Sequence, residues 1–363
     1  MADRFASEPA FHHGQPSKTG VLWCNLGTPQ APTAKALRTY LAEFLSDPRV
    51  VEIPRLIWLP ILHGIILRIR PAKSAAKYAS IWTKEGSPLL TGTIKQADGL
   101  QSRLPAAQFL VRAAMRYGSP SVAEVLDDMR AQGVTRLLVL SAYPQYSATT
   151  TASVWDAVTT WMTRHRNLPE MRWVKHYHDH PAYIQALANR VKRHWETSGR
   201  QAHLVMSFHG VPQRTLELGD PYHCECHKTG RLLAQALGLS KGQYTVTFQS
   251  RFGKAKWLEP YTEPTVRQLA ERGVQSVDVI CPGFVCDCLE TLEEIAMEVR
   301  SAFLQCGGKD FGYIECLNDD PQWLDALAQI THNHLSGWSD HQAQGHPELQ
   351  QERELALAMG AKQ

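Results

Sequence analysis

Apolar residues along this chain follow two alternating periods. Runs with β-branched residues at every second position recur at 21–26, 109–113, 136–141, 172–176, 203–208, 244–248, 277–281 and 312–316, and each reads as a strand. Between them, apolar positions three and four residues apart read as helices near 34–46, 90–103, 120–132, 148–165, 181–197, 229–238, 262–272, 288–305 and 322–335. Strand–helix alternation over the whole length predicts an α/β fold with mostly parallel sheets.

The pattern also repeats. GVTRLLVLSAYP from Gly133 matches GVQSVDVICP from Gly273, an offset of 140. MRYG from Met115 matches SRFG from Ser250, an offset of 135, and LGTPQ from Leu26 matches HGVPQ from His209, an offset of 183. Similar offsets in the same order predict two similar α/β domains with a ligand cleft between them. The difference places about 43 extra residues in the first half, between its first and third matched strands. This gives a disordered lead-in at 1–18, a first domain at 19–168 with an apolar insertion at about 31–85, a second domain at 169–335, and a polar tail at 336–363 with one short helix. The most apolar stretch, 56–69 (LIWLPILHGIILRI), lies in the insertion. Pro60, His63, Gly64 and Arg68 interrupt it, and it is shorter than the ~20 residues of a membrane span. It reads either as a buried segment or as a lip that rests on a membrane surface or closes over an apolar ligand; Trp58, Arg68 and Arg70 suit the second use.

Composition narrows the classes. The 363 residues are 44% hydrophobic and 20% charged with a net charge of +3, which argues against nucleic acid as the main partner. The first twenty residues carry acids and no apolar core, so no secretory signal is expected. Eight cysteines in a chain of this size do not make a disulfide framework, and reduced thiols in the cytoplasm are the expectation.

The densest chemistry lies at 276–298, SVDVICPGFVCDCLETLEEIAME. A strand breaks at Pro282-Gly283 and passes into a helix whose Asp287, Glu290, Glu294 and Glu298 follow at steps of three, four and four. Leu289, Leu292, Ala296 and Val299 form the opposite, apolar stripe. Two readings stand: a solvated acidic face, or a carboxylate row that holds a cation or passes protons where an α/β crevice opens. His209 ends another strand and is followed by Gly210 and Pro212, which sets its imidazole on a turn facing the same crevice. Histidine on one loop and acids on the next make an acid/base or metal pair. By contrast, His223-Cys224-Glu225-Cys226-His227 lacks a closed zinc spacing, and His176-Tyr177-His178-Asp179-His180 reads as a loop before a helix at Pro181. Dinucleotide, P-loop and G-x-S-x-G signatures do not occur.

Several stretches together resemble the motifs of the ferrochelatase family. They are Ser207-Phe208-His209-Gly210-Val211-Pro212, Tyr143-Pro144-Gln145-Tyr146-Ser147, Gly219-Asp220-Pro221-Tyr222, Gln249-Ser250-Arg251-Phe252-Gly253 with Trp257-Leu258, and Asp287 to Glu294. Asn25-Leu26-Gly27-Thr28-Pro29 and Phe44-Leu45-Ser46-Asp47 fit as well, and the matches run in family order from about 20 to about 334. The resemblance implies a class II chelatase fold of two similar Rossmann-like domains, with parallel sheets flanked by helices and the active-site cleft between them. It implies insertion of Fe2+ into protoporphyrin IX with release of two protons, the terminal step of haem biosynthesis. No cofactor is required; iron is a substrate. His209 matches the family's active-site histidine, Glu290 the acid facing it, and Asp287 and Glu294 the acidic proton or metal path. Leu26, Arg116, Tyr117, Tyr146, Trp257 and Phe284 match the porphyrin pocket. The extra residues match a lip linked to loose contact with the inner face of a membrane. Cys288 stands where many relatives have histidine, so no metal role is carried to it. No cysteine follows Cys316, so the C-terminal two-iron two-sulfur cluster of some relatives is not expected, and nothing supports one on Cys224 and Cys226. Coproporphyrin or another metal as substrate, and a non-catalytic tetrapyrrole carrier, remain as alternatives; a zinc hydrolase lacks a third ligand of suitable spacing.

Overall fold

A computed structural model, which describes residues 5–253, 255–338 and 346–362, gathers the strand-like runs into two parallel four-stranded sheets. β1 (Lys18–Gly27), β2 (Phe109–Tyr117), β3 (Val134–Ser141) and β4 (Glu170–Trp173) form the first, in the order β2-β1-β3-β4. β5 (His203–His209), β6 (Tyr244–Gln249), β7 (Ser276–Ile280) and β8 (Asp310–Ile314) form the second, in the matching order β6-β5-β7-β8. Helices cover both faces, so the inner strands read as continuous apolar runs: Val21, Leu22, Trp23 and Cys24 in β1 are all fully buried. β4 and β8 each start two residues before the expected position. Both are edge strands, and their ladders stop where Trp173 meets Val139 and Ile314 meets Ile280. Val174 and Cys316, just beyond, are buried as loop residues at the crevice.

In the first half the helices are α1 (Ala34–Ser46), α2 (Arg55–Ile61), α3 (Leu67–Ile81), α4 (Pro88–Gln101), α5 (Val122–Ala131) and α6 (Ser153–Met162). A π-helical turn at Leu62–Ile66 joins α2 to α3, and another at Ala148–Ala152 leads into α6. In the second half they are α7 (Pro181–Ser198), α8 (Gln213–Glu217), α9 (Tyr222–Ala236), α10 (Thr262–Glu271), α11 (Arg300–Gln305) and α12 (Pro321–His334); α13 (His346–Ala358) follows. A ten-residue π-helix, Glu290–Val299, runs straight into α11. α9 starts seven residues before expected, because Asp220 accepts the Tyr222 N–H at 3.0 Å and starts a helix through the polar HCECH run.

The insertion lies between β1 and β2, where 81 residues intervene against 34 between β5 and β6. Its inner face packs Leu37, Tyr40, Leu41, Leu45, Trp58, Leu62 and Tyr78 into a separate core. Trp58 therefore does not serve an outward lip: it is buried and its Nε1 donates to the Leu45 carbonyl at 2.6 Å. Arg70 is also turned inward, 4.6 Å over the Phe252 ring of the second half. Leu56, Ile57, Ile65 and Ile69 remain exposed. Lys77 of α3 crosses to Glu293 and Glu298, at 3.0 and 2.9 Å, and Glu52 pairs with Arg214. Among the described residues no helix is long and apolar enough to cross a membrane.

A buried glutamine closes the seam between the halves. Gln96 of α4 donates to the Val285 and Asn318 carbonyls, both at 2.8 Å, and accepts from Trp23 Nε1 at 3.1 Å. The lead-in carries no regular element before β1 but is pinned: the Ala6 N–H donates to the Arg164 carbonyl at 2.8 Å and Glu8 pairs with Arg130. Residues 1–4 of the expected lead-in, and 339–345 and 363 of the expected tail, lie outside the described residues.

Asp47 ties the insertion to the first sheet. Its Oδ2 accepts from Arg116 Nη2 at 2.6 Å, Tyr117 Oη at 2.8 Å and Ser153 Oγ at 2.6 Å. Burial alone would raise its carboxyl, but the bonds from Ser153, Arg49 N–H and Tyr117 and the Arg116 charge outweigh it, and the net shift is downward. A folded-state pKa below the ordinary 3.8 stabilises the fold above that pH, and the contribution is lost as pH falls through the lowered value. Asp47→Ala leaves Arg116 and Tyr117 without their acceptor and should cost about 3 kcal/mol in urea unfolding at neutral pH. The gap to wild type should narrow toward acid. A loss below about 1 kcal/mol at neutral pH would contradict this role.

Candidate active site

β5 delivers His209 to the carboxyl edge of the second sheet, opposite Gln249 of β6. The chain turns there by close approach: the Gly210 N–H donates to the Gln249 carbonyl at 2.7 Å, and a Cβ on Gly210 would also lie 2.7 Å from that oxygen. Only glycine fits. Hydrogen bonds from Leu258 N–H to Val211 and from Gln213 N–H to Lys256, at 3.0 and 2.9 Å, bring the Trp257 ring against the same turn. His209 Nδ1 lies 2.6 Å from the Gly210 carbonyl. A carbonyl only accepts, so Nδ1 carries the hydrogen and Nε2 keeps its lone pair. Phe284 stands beside it, with ring centroids 6.4 Å apart.

The acids enter from the π-helix after β7. Its wider turn is a feature frequent at functional sites. Residues five apart become neighbours, so Glu293 and Glu298 share Lys77. Glu294 points elsewhere: it accepts from Ser250 N–H at 2.7 Å, Ser250 Oγ at 2.5 Å and Gln249 Nε2 at 3.4 Å. Gln249 Nε2 also donates to the Glu290 carbonyl at 2.8 Å, fixing the first turn. Burial raises the Glu294 carboxyl and the nearby Glu290 adds to this, while the Ser250 bonds and the nearby His209 offset part of it. His209, Glu290 and Glu294 thus form one electrostatic group. Asp287 is placed differently. Its buried carboxylate accepts from Thr291 at 3.0 Å, from Asn318 Nδ2 at 2.6 Å and from the Tyr313 hydroxyl. The expected single row is therefore divided between a crevice pair, an anchor at Asp287 and an ion-paired outer end at Glu298.

Ser250 and Asn318 hold left-handed backbone, at φ 64° and 46°. Such backbone costs about 1–3 kcal/mol in non-glycine residues, less for asparagine. Each clamps one acid, Ser250 on Glu294 and Asn318 on Asp287.

Leu26, Tyr146, Trp257 and Phe284 are half-buried. Arg116 and Tyr117 are instead drawn into the Asp47 network, and Tyr117 is fully buried. Tyr40 and Tyr78 were not legible as site residues. Burial, with the charge of Glu290, pushes both phenols upward, so they face the crevice group as neutral hydroxyls. Nothing in the sequence around them reveals that the insertion folds back onto Glu290. Burial first, then Glu290, also raises the Cys288 thiol and keeps it protonated. Cys224 is exposed and Cys226 fully buried, on opposite sides of α9.

Two matched parallel lobes, with an imidazole and carboxylates converging at their strand ends, define the class II chelatase fold. SirB from Bacillus subtilis, solved with Fe3+, shares that fold at a TM-score of 0.53 and 10% identity, over 89% of this chain and 98% of its own. The family model of ferrochelatase matches residues 18–335. A curated ferrochelatase of Polaromonas sp. is 64% identical, over 98% of this chain and 99% of its own. Another, of Methylibium petroleiphilum, is 60% identical over 99% of both chains. The chain belongs to the ferrochelatase family.

The saturated geometry of Asp287 makes it an anchor. Asp287→Ala should lower stability by about 3 kcal/mol by stranding Tyr313 and Asn318, with the cation affinity of the crevice changed less than tenfold. A stable variant with lost cation affinity would instead make Asp287 a ligand.

Proposed function

We propose that this enzyme inserts Fe2+ into protoporphyrin IX at the His209–Glu290–Glu294 group, forming protohaem with release of two protons. Membership in the ferrochelatase family supports the reaction, and His209, with Nδ1 on the Gly210 carbonyl, beside the raised carboxyl of Glu294 is the observation that supports this crevice as its place. Imidazole and carboxylate bind Fe2+ less tightly than thiolates do, which suits a cation that must be handed on. A neutral imidazole with its lone pair on Nε2 accepts a pyrrole proton. Glu294, whose carboxyl burial raises from its ordinary value, takes it onward.

The macrocycle hides its nitrogen lone pairs in the ring plane. Walls that bend it expose them, with about 1–5 kcal/mol of strain supplied by binding the apolar rim. Trp257 and the insertion provide those walls. The exposed Leu56, Ile57, Ile65 and Ile69 give the insertion an apolar outer face that rests on a membrane surface. On this reading the enzyme is cytoplasmic and peripheral to the inner face of the membrane.

Anaerobic Fe2+ insertion followed by absorbance tests the assignment. His209→Ala should lose at least about 100-fold in kcat. Near-normal turnover would move the base to the carboxylates, and porphyrin binding without turnover in the wild type would favour a carrier. The pH dependence has a definite sign. Below its raised pKa Glu294 is protonated and accepts nothing, so the wild-type rate rises with pH through that value. Glu294→Gln should be slower by about 10–100-fold and lack this acid limb; a variant that keeps the limb excludes Glu294 as its source. Trp257→Ala should slow insertion more than it weakens porphyrin binding, and an unchanged rate removes the bending role.

A further inference from the structure

Two histidine-rich stretches that the insertion reaction does not use meet at the seam between the halves. His176 and His178 follow β4, and Glu225 lies on α9. His176 Nδ1 is 2.7 Å from Glu225 Oε1, and His178 Nδ1 is 3.3 Å from Glu225 Oε2. The two rings stand edge to face with centroids 4.8 Å apart, and one ligand atom from each of the three residues falls within 4.8 Å of the others.

Three features distinguish this from an ordinary ion pair. His178 is 4% exposed, and among the described residues its Nδ1 has no hydrogen-bond partner: it faces Glu225 at contact distance but outside bonding geometry. Glu225 is buried and oriented by the Tyr146 N–H, which donates to Oε2 at 2.7 Å. The loop itself is held, since Thr229 Oγ1 donates to the His178 carbonyl at 2.8 Å and Gln145 Nε2 donates to Thr229 Oγ1 at 3.0 Å. Burial also lowers the His178 pKa, which favours the neutral ring that a metal ligand must present. His176 is the solvent-facing member, with a side chain 39% exposed.

We propose that His176 Nδ1, His178 Nδ1 and the Glu225 carboxylate form a second divalent-metal site, sharing no residue with the His209–Glu290–Glu294 group. Two imidazoles and one carboxylate, with coordination positions left open toward His176, suit a borderline transition-metal cation such as Fe2+, Co2+ or Zn2+. Ca2+ and Mg2+ prefer all-oxygen shells. On binding, the cation takes the place of the hydrogen that His176 Nδ1 shares with Glu225, and the ring carries its hydrogen on Nε2. The cation then links the connection after β4 to α9 and stabilises the native seam.

The test counts Co2+ bound per full-length chain by equilibrium dialysis and by d–d absorption, in the His209→Ala background and with His176→Ala added. The count should fall by one on loss of His176, and Zn2+ should raise the Tm of the first protein and not of the second. Iron insertion by the single His176→Ala variant should stay within about threefold of wild type. His176→Gln, which still reaches Glu225 but offers no imidazole, repeats the comparison if alanine impairs folding. An unchanged count, or an equal Zn2+ shift in Tm with and without His176, overturns the site, and leaves Glu225 as a clamp on His176 and Tyr146. Neither outcome depends on the role of His209, which is absent from both proteins.

Discussion

Five carboxylates lie between Asp287 and Glu298, where the second half meets the insertion through Lys77. Holding that much charge together, most of it out of water, is the constraint that orders the surrounding structure, because an ionised carboxylate taken from water needs donors or it takes up a proton. Each acid meets the constraint differently. Asp287 is saturated by Thr291, Tyr313 and Asn318. Glu293 and Glu298 share Lys77, which α3 carries across from the first half. Glu294 has Ser250 and remains raised. What is left toward His209 is Glu294, whose carboxyl burial raises, with Glu290 nearby. Gln249 makes the arrangement cooperative, because its carbonyl holds the His209 turn while its amide holds the Glu290 carbonyl and Glu294.

The two halves share strand order and the π-helical entry after the third strand, yet their chemistry has diverged. Leu26 occupies the position in the first half that His209 occupies in the second. Ala148–Ala152 opens the first π-helical turn without an acid, where Glu290 opens the second. The second half carries His209 and the acids; the first carries the insertion that packs against them and supplies Lys77, Tyr40 and Tyr78.

Much of this was legible in the sequence. Period-two runs located all eight strands, and the offsets of 140, 135 and 183 expose the duplication in the sequence itself. Two kinds of feature were not. α2 and α3 were hidden because Pro60, Gly64 and Pro71 break the helical period inside a segment whose apolar residues face both ways. The acidic row was read on a 3.6-residue helix, whereas the wider π turn sets Glu293 beside Glu298 on Lys77. The donors that decide each carboxylate's state come from residues distant in sequence and set by topology alone. The same limit separated His176 and His178 from Glu225: neither stretch is a recognisable site, and only the fold puts them together.

The account centres on His209 and Glu290 acting as one unit on the cation and its porphyrin. A double-mutant cycle on kcat/KM for anaerobic Fe2+ insertion, with His209→Ala, Glu290→Gln and the pair, measures that directly. The double variant should be little worse than the poorer single, a coupling of about 2 kcal/mol or more. Losses that simply add would show that the two residues act independently and contradict the account.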